Sequence, residues 1–254
     1  MSNVLAIAQK ELKGYFASPI AYVVIGFFAL MFGYFYWALL GFFVEQSARM
    51  MGLQGGPTQN VNEQMIRPVF MNASVLLLFT LPMVTMRTYS EEKRSGTIEL
   101  LLTSPVTDFQ IVLGKFFGAM ALYAVMLAVT LFHIGVLFIY GSPEWKPILT
   151  SYIGLLLLGG CFIAVGLFIS SLTRNQIVAG MVTFAVFLLL WVITWLGSSF
   201  PSIEGVTNYL SIIDHFDDFG KGVIDTTHVI YYLSFITFGL FLTAKSVDSE
   251  RWRG

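Results

Sequence analysis

Residues 88–115 read TYSEEKRSGTIELLLTSPVTDFQIVLGK, a charged, punctuated stretch set between two long apolar ones. Three local signals divide it. Gly96, after the run SEEKRS, permits a sharp change of direction, and Ser104-Pro105 stops any helix that precedes it. Thr107, with Gln110 three residues on, forms a capping box directly before the apolar run Ile111, Val112, Leu113. A short helix over residues 97–103 is therefore expected. It carries Ile98, Leu100, Leu101 and Leu102 around a single Glu99, more apolar surface than an exposed two-turn helix keeps without a cover. Such a helix suits docking in a partner's groove, the ridge giving affinity and Glu91, Glu92, Lys93, Arg94 and Glu99 setting register and on-rate. The bland alternative is that the leucines pack under the chain's own spans while the charges are solvated.

The surroundings of this stretch fix the class of protein. The 254 residues are 56% hydrophobic and 11% charged, with a mean hydropathy of +0.76. Soluble domains carry about a quarter charged residues, so this is an integral membrane protein. A formal net charge of −1 excludes the basic footprint of a nucleic-acid binder. Cys161, the sole cysteine, lies in an apolar run and reads as a small buried hydrophobe.

A bilayer core requires about 20 mostly apolar residues per helix. Such runs fall at residues 20–44, 69–86, 116–140, 152–172, 177–197 and 228–244, without the alternation of a barrel strand. The fold class is thus all-α and polytopic, a single domain of six spans. An even number places both termini on one side. With the termini in the cytoplasm, Lys10, Lys13, Arg87, Lys93, Arg94, Lys115, Arg174, Lys245, Arg251 and Arg253 lie inside. Arg49, Arg67, Lys146 and Lys221 lie outside. That asymmetry is the positive-inside rule, and it makes residues 87–115 the longest inner loop of a cytoplasmic-membrane protein.

The flanking segments have their own patterns. Residues 1–18, MSNVLAIAQKELKGYFAS, lack the layout of a cleavable signal. On a wheel Val4, Leu5, Ala8, Leu12, Tyr15 and Phe16 share one side, opposite Asn3, Gln9, Lys10 and Lys13. Ile7 and Glu11 fit less well. An interface helix lying on the inner membrane surface and presenting Lys10, Glu11 and Lys13 is expected. In the outer segment 198–227, Tyr209, Ile212, Ile213, Phe216, Phe219 and Val223 recur at helical spacing, and Asp214, Asp217 and Asp218 take the other face. A short amphipathic outer helix is expected there. The twelve-residue calcium loop is missing, so the aspartates read as a solvated acidic face.

Chemistry within the spans is sparse. His133 is the one ionisable residue near the middle of a span, a possible functional group; a neutral imidazole bonded to a nearby backbone or hydroxyl group is the expectation. No second histidine lies in a span to pair with it as a haem ligand. The motifs of hydrolases and zinc proteases are missing, the methionines are too scattered for a copper site, and no metal is expected. Pro82 and glycines such as Gly33, Gly118, Gly135, Gly159, Gly160 and Gly166 read as kink and close-contact positions.

The ordered pattern Arg87-x-x-Ser90-Glu91-Glu92-Lys93-x-x-Gly96-Thr97-Ile98-Glu99-Leu100-Leu101-Leu102-x-Ser104-Pro105, closed by Gly114-Lys115, resembles the inner loop of ABC type-2 permeases, the membrane subunits of ATP-driven exporters. The six-span plan, the lead helix and the outer helical segment resemble that family over essentially the whole chain. Residues 208–234, NYLSIIDHFDDFGKGVIDTTHVIYYLS, look like its gliding-motility branch. The resemblance implies a coupling helix, with Arg87, Glu91, Glu92, Lys93, Gly96, Thr97, Ile98, Glu99, Leu100, Leu101, Leu102 and Pro105 facing a separate ABC ATPase subunit. It further implies a second permease copy or a related permease, and leaves room for an outer-face accessory protein. ATP and Mg²⁺ would belong to the partner ATPase. The chain has no phosphate loop of its own, since Phe116 follows Gly114-Lys115 and Gly222 follows Gly220-Lys221. The competing reading is an ATP-independent scaffold or secondary carrier with a partner-binding inner loop, although a carrier is expected to show midplane charges and an internal repeat.

Overall fold

The computed structural model describes residues 2–51, 60–99, 103, 105–199 and 204–251, and every regular element among them is helical. The order is α1 (Ser2–Ala17), α2 (Pro19–Met51), a π-helical turn (Asn62–Ile66) running into α3 (Arg67–Thr85), α4 (Ser90–Ser95), α5 (Asp108–Tyr140), α6 (Trp145–Leu172), α7 (Gln176–Ser199), α8 (Glu204–Leu210), α9 (Asp214–Gly220) and α10 (Thr226–Arg251). Six stretches among the described residues are long and apolar enough to cross a membrane: Pro19–Met50, Asn62–Ser95, Asp108–Tyr140, Trp145–Leu172, Gln176–Ile193 and Thr226–Arg251. The all-α, six-span class is therefore what the chain adopts.

The helices outrun the apolar segments that announce them. The 33 residues of α5 extend about 50 Å, some 20 Å more than a hydrocarbon core needs. Its N-terminus is set by the capping box, in which Thr107 accepts from the Gln110 backbone and Gln110 returns a bond to the Thr107 N–H.

α6 is the most enclosed span and organises the bundle. Small residues let neighbours reach its backbone: Tyr123 of α5 lies on Gly159 and donates to the Leu155 carbonyl at 2.7 Å, while Thr85 at the end of α3 lies on Gly166. Without a strong hydrophobic force between helices in lipid, such close approach supplies the packing. By contrast α2, α7 and α10 leave most of their apolar surface uncovered within the chain. Gly135, grouped with the close-contact glycines, faces open space.

In residues 198–227 the expected single amphipathic helix is two helices, α8 and α9, joined through Ser211. Ile212, Phe216 and Phe219 are buried, with Phe216 and Phe219 seated on Gly154 of α6, whereas Tyr209 and Val223 are exposed. The aspartates are not a uniformly solvated face. Asp217 accepts from Arg67 at 3.2 Å and pairs with Lys221 at 2.7 Å, and Asp218 pairs with Lys221 at 2.8 Å and His228 at 3.0 Å. Burial pushes the Asp217 carboxyl upward, but its bonds from Arg67 and Lys221 outweigh this and hold it below the usual carboxylate range.

His133 is boxed by Phe32, Tyr36 and Phe132, with its Nε2 2.9 Å from where a Cβ on Gly33 would stand. Its buried Nδ1 makes no hydrogen bond among the described residues, in place of the expected bond to backbone or hydroxyl. The reason is local, since the groups closest to the ring are aromatic faces and a glycine.

Candidate functional site

The candidate site is assembled by α1, α4 and the first turns of α5. α1 runs alongside α5 in the same direction and in fixed register: Asn3 bonds Gln110 at 3.5 Å, Ile7 lies on Gly114 and Glu11 lies on Gly118. Each step is four residues on both helices, so the two backbones climb together. Gly114 and Gly118 bracket GKFFG, a small-xxx-small ridge that admits the α1 side chains at van der Waals range. Ile7 and Glu11, the two residues that fit the expected apolar face least, thus make the contact, while Leu5 on that face is exposed. The rest of the expected face holds, with Tyr15 buried, Val4, Ala8, Leu12 and Phe16 partly buried, and Asn3, Gln9, Lys10 and Lys13 exposed; Ile7 and Glu11 enter the contact because a glycine ridge selects residues by size and register as well as by polarity.

Lys115 lies between those two glycines and is only 1% exposed. Its Nζ stands 2.8 Å from Glu11 of α1, 2.9 Å from Glu92 of α4 and 3.0 Å from the Thr88 carbonyl, 5.0 Å from the centroid of the Tyr89 ring. Lys10 adds a looser contact to Glu92 at 3.7 Å. A buried ammonium is tolerated because its desolvation is offset by two carboxylates and a carbonyl. The cluster ties three segments together at one cation.

α4 is held from behind. The Ser170 hydroxyl of α6 accepts from the backbone N–H groups of Tyr89 and Ser90 and donates to the Met86 carbonyl, satisfying amides that a helix start leaves open. Tyr15 bonds the Val84 carbonyl and the Thr88 hydroxyl. Arg87 pairs with Glu91 at 3.0 Å and donates to Ser18 at the α1–α2 junction. The far end of α10 closes the ring, Glu250 with Lys93 at 2.6 Å and Arg251 with Asp108 at 2.8 Å.

α4 stops at Gly96, whose φ of 74° is left-handed and favours glycine. Helical geometry resumes at Ile98 and Glu99, and the Thr103 N–H bonds the Glu99 carbonyl at 3.0 Å. Leu100, Leu101, Leu102 and Ser104 lie outside the described residues. Ile98 is buried in its own chain at 9% exposed; Glu91, Arg94, Thr97, Glu99 and Pro105 are exposed. Of the charges expected to face a partner, Glu92 and Lys93 are turned inward and paired within the chain. Between α1 and α4 opens a cleft of about 310 Å³ lined by Lys10, Glu11, Gly14, Arg87, Glu91 and Thr97. The two sets of residues singled out in sequence, the lead helix and the inner loop, share it. The roles of Lys115 as a buried hub and of Ser170, Glu250 and Arg251 as braces were missed. A lone lysine inside the otherwise apolar IVLGKFFG was the available signal for the first.

Among the described residues no group of three or more His, Cys, Asp or Glu is placed to hold a metal ion. The family model described as ABC-2 family transporter protein matches residues 5–225, and the chain belongs to that family. It is a multi-pass membrane protein of the transport-subunit kind, not itself catalytic. No curated protein matches it.

Proposed function

We propose that the chain is the permease subunit of an ATP-driven exporter, with residues 97–105 and the lead helix as the seat of a separate ABC ATPase subunit that holds ATP and Mg²⁺. Supporting this reading is the shared inner cleft, whose walls, α1 and α4, are braced to α5 through Lys115. A push on the loop after Gly96 moves α4, and the buried cluster carries that motion to α1 and α5 together. Each nucleotide state then favours one arrangement of the spans, inward or outward. Exposed Glu91, Arg94 and Glu99, with Lys13 on α1, provide the charged contacts.

A second copy, or a related permease, covers the exposed apolar faces of α2 and α7 together with lipid, in a cytoplasmic membrane with both termini inside. The gliding-motility likeness rests on residues 208–234 and makes mechanical work on an outer accessory protein one form the output takes. Reversing exposed charges tests the docking. Glu99→Lys combined with Lys13→Glu is expected to lower ATP turnover of the reconstituted complex about tenfold, with unchanged thermal stability of the chain alone. Turnover equal to wild type contradicts the assignment. An ATP-independent scaffold or carrier is the competing function, and it predicts no dependence on nucleotide at all.

A further inference from the structure

The outer face carries a histidine pair that nothing in the transport reading uses. His215 of α9 and His228 of α10 meet Nδ1 to Nδ1 at 2.7 Å. The outer nitrogen of each ring is already committed: His228 Nε2 is 3.0 Å from the Asp218 carboxylate, and His215 Nε2 is 3.1 Å from the Tyr209 carbonyl. Both of these partners are acceptors, so both Nε2 atoms carry hydrogen. Two neutral rings would then face each other with bare lone pairs at hydrogen-bond distance. The geometry points to a proton-binding site in which one proton, shared as Nδ1–H···Nδ1, joins His215 to His228 and gives the pair a single positive charge.

The surroundings favour this occupant. Asp218 faces the pair from α9 and Asp225 from the start of α10, with Asp214 adding a further negative charge near His215. Lys221 offsets part of Asp218, and Asp217 is turned toward Arg67 of α3 and toward Lys221. The remaining titratable neighbours are Tyr209 of α8, Tyr231 and Tyr232 of α10, and Cys161 of α6 beneath them. The Tyr231 ring lies 3.9 Å from that of His215 and seals one side. Burial lowers His215 below the ordinary histidine range against the opposing bond to the Tyr209 carbonyl.

The consequence is a proton-dependent clasp between the outer helices and the last span. One proton makes the link. Rising pH removes that proton and breaks one of the three bonds, and strongly acidic pH adds a second that sets N–H against N–H. The clasp is therefore strongest in between.

The test uses the full chain in lipid nanodiscs, labelled with ¹⁵N-histidine; with three histidines in the sequence the spectrum is simple. Near neutral pH the expected result is a coupled Nδ1 pair carrying one proton, absent in His215→Phe. Hydrogen exchange of residues 204–225, corrected for intrinsic rates, is expected to quicken about tenfold as pH rises through loss of that proton. Asp218→Asn keeps an acceptor for His228 but removes the charge, and is expected to lower the midpoint by roughly one pH unit. Two independent neutral rings at neutral pH, or an unmoved midpoint in Asp218→Asn, overturns the proposal. Signals that change on adding a chelator also overturn it, because a metal ion would then be the shared cation.

Discussion

Glu11 and Lys115 stand 2.8 Å apart although they are separated by more than a hundred residues, and the lysine is sealed from solvent. This pair, extended by Glu92, makes this end of the molecule one mechanical unit. α1 cannot leave α5, nor α4 leave either, without exposing a charge.

Removing the lysine leaves two carboxylates facing each other. Lys115→Met is expected to destabilise the protein by about 3–5 kcal/mol, the usual cost of breaking a buried pair from one side. Thermal unfolding in mild detergent measures it. The triple variant Lys115→Met, Glu11→Gln, Glu92→Gln should recover part of the loss, since no uncompensated charge remains.

The register of α1 on α5 rests on glycine. A Cβ at Gly118 would stand 2.6 Å from the Glu11 Cβ, so Gly118→Leu is expected to prise α1 away. Cysteines placed at Asn3 and Gln110, with Cys161→Ala, report it: a short cross-linker should join them in the parent and fail in the Gly118→Leu background.

At the centre of the bundle, Tyr123→Phe removes the bond to the Leu155 carbonyl while keeping the ring on Gly159. A loss of about 1 kcal/mol is expected. Gly159→Leu, which occupies the place of that ring, should cost several times more and reduce the yield of folded protein.

Much of this was legible beforehand. The span count, the capping box at Thr107 and the turn at Gly96 follow from local chemistry, because each is decided by a few neighbouring residues. The pairing of Lys93 with Glu250 and of Asp217 with Arg67 was not, since partners 157 and 150 residues away leave no local trace. The same holds for His215 and His228. Their thirteen-residue separation acquires meaning only when Gly222, at φ 87°, turns the chain and brings α10 beside α9.

The clamp between Arg67 and Asp217 carries a pH signature. Because the Asp217 carboxyl is held below its ordinary value, its contribution is present above about pH 4 and is lost as pH falls through the folded-state value. Stability measured from pH 6 to pH 2 should decline less steeply in Asp217→Asn than in the parent.

The central claim is that residues 97–105 and the lead helix seat a motor subunit, and co-purification tests it most directly. The chain, expressed with its candidate nucleotide-binding subunit and extracted in mild detergent, is expected to retain that subunit in equal amount, and Glu99→Lys with Lys13→Glu should release it. A chain that purifies alone while still folded, or a complex indifferent to both charge reversals, would contradict the account.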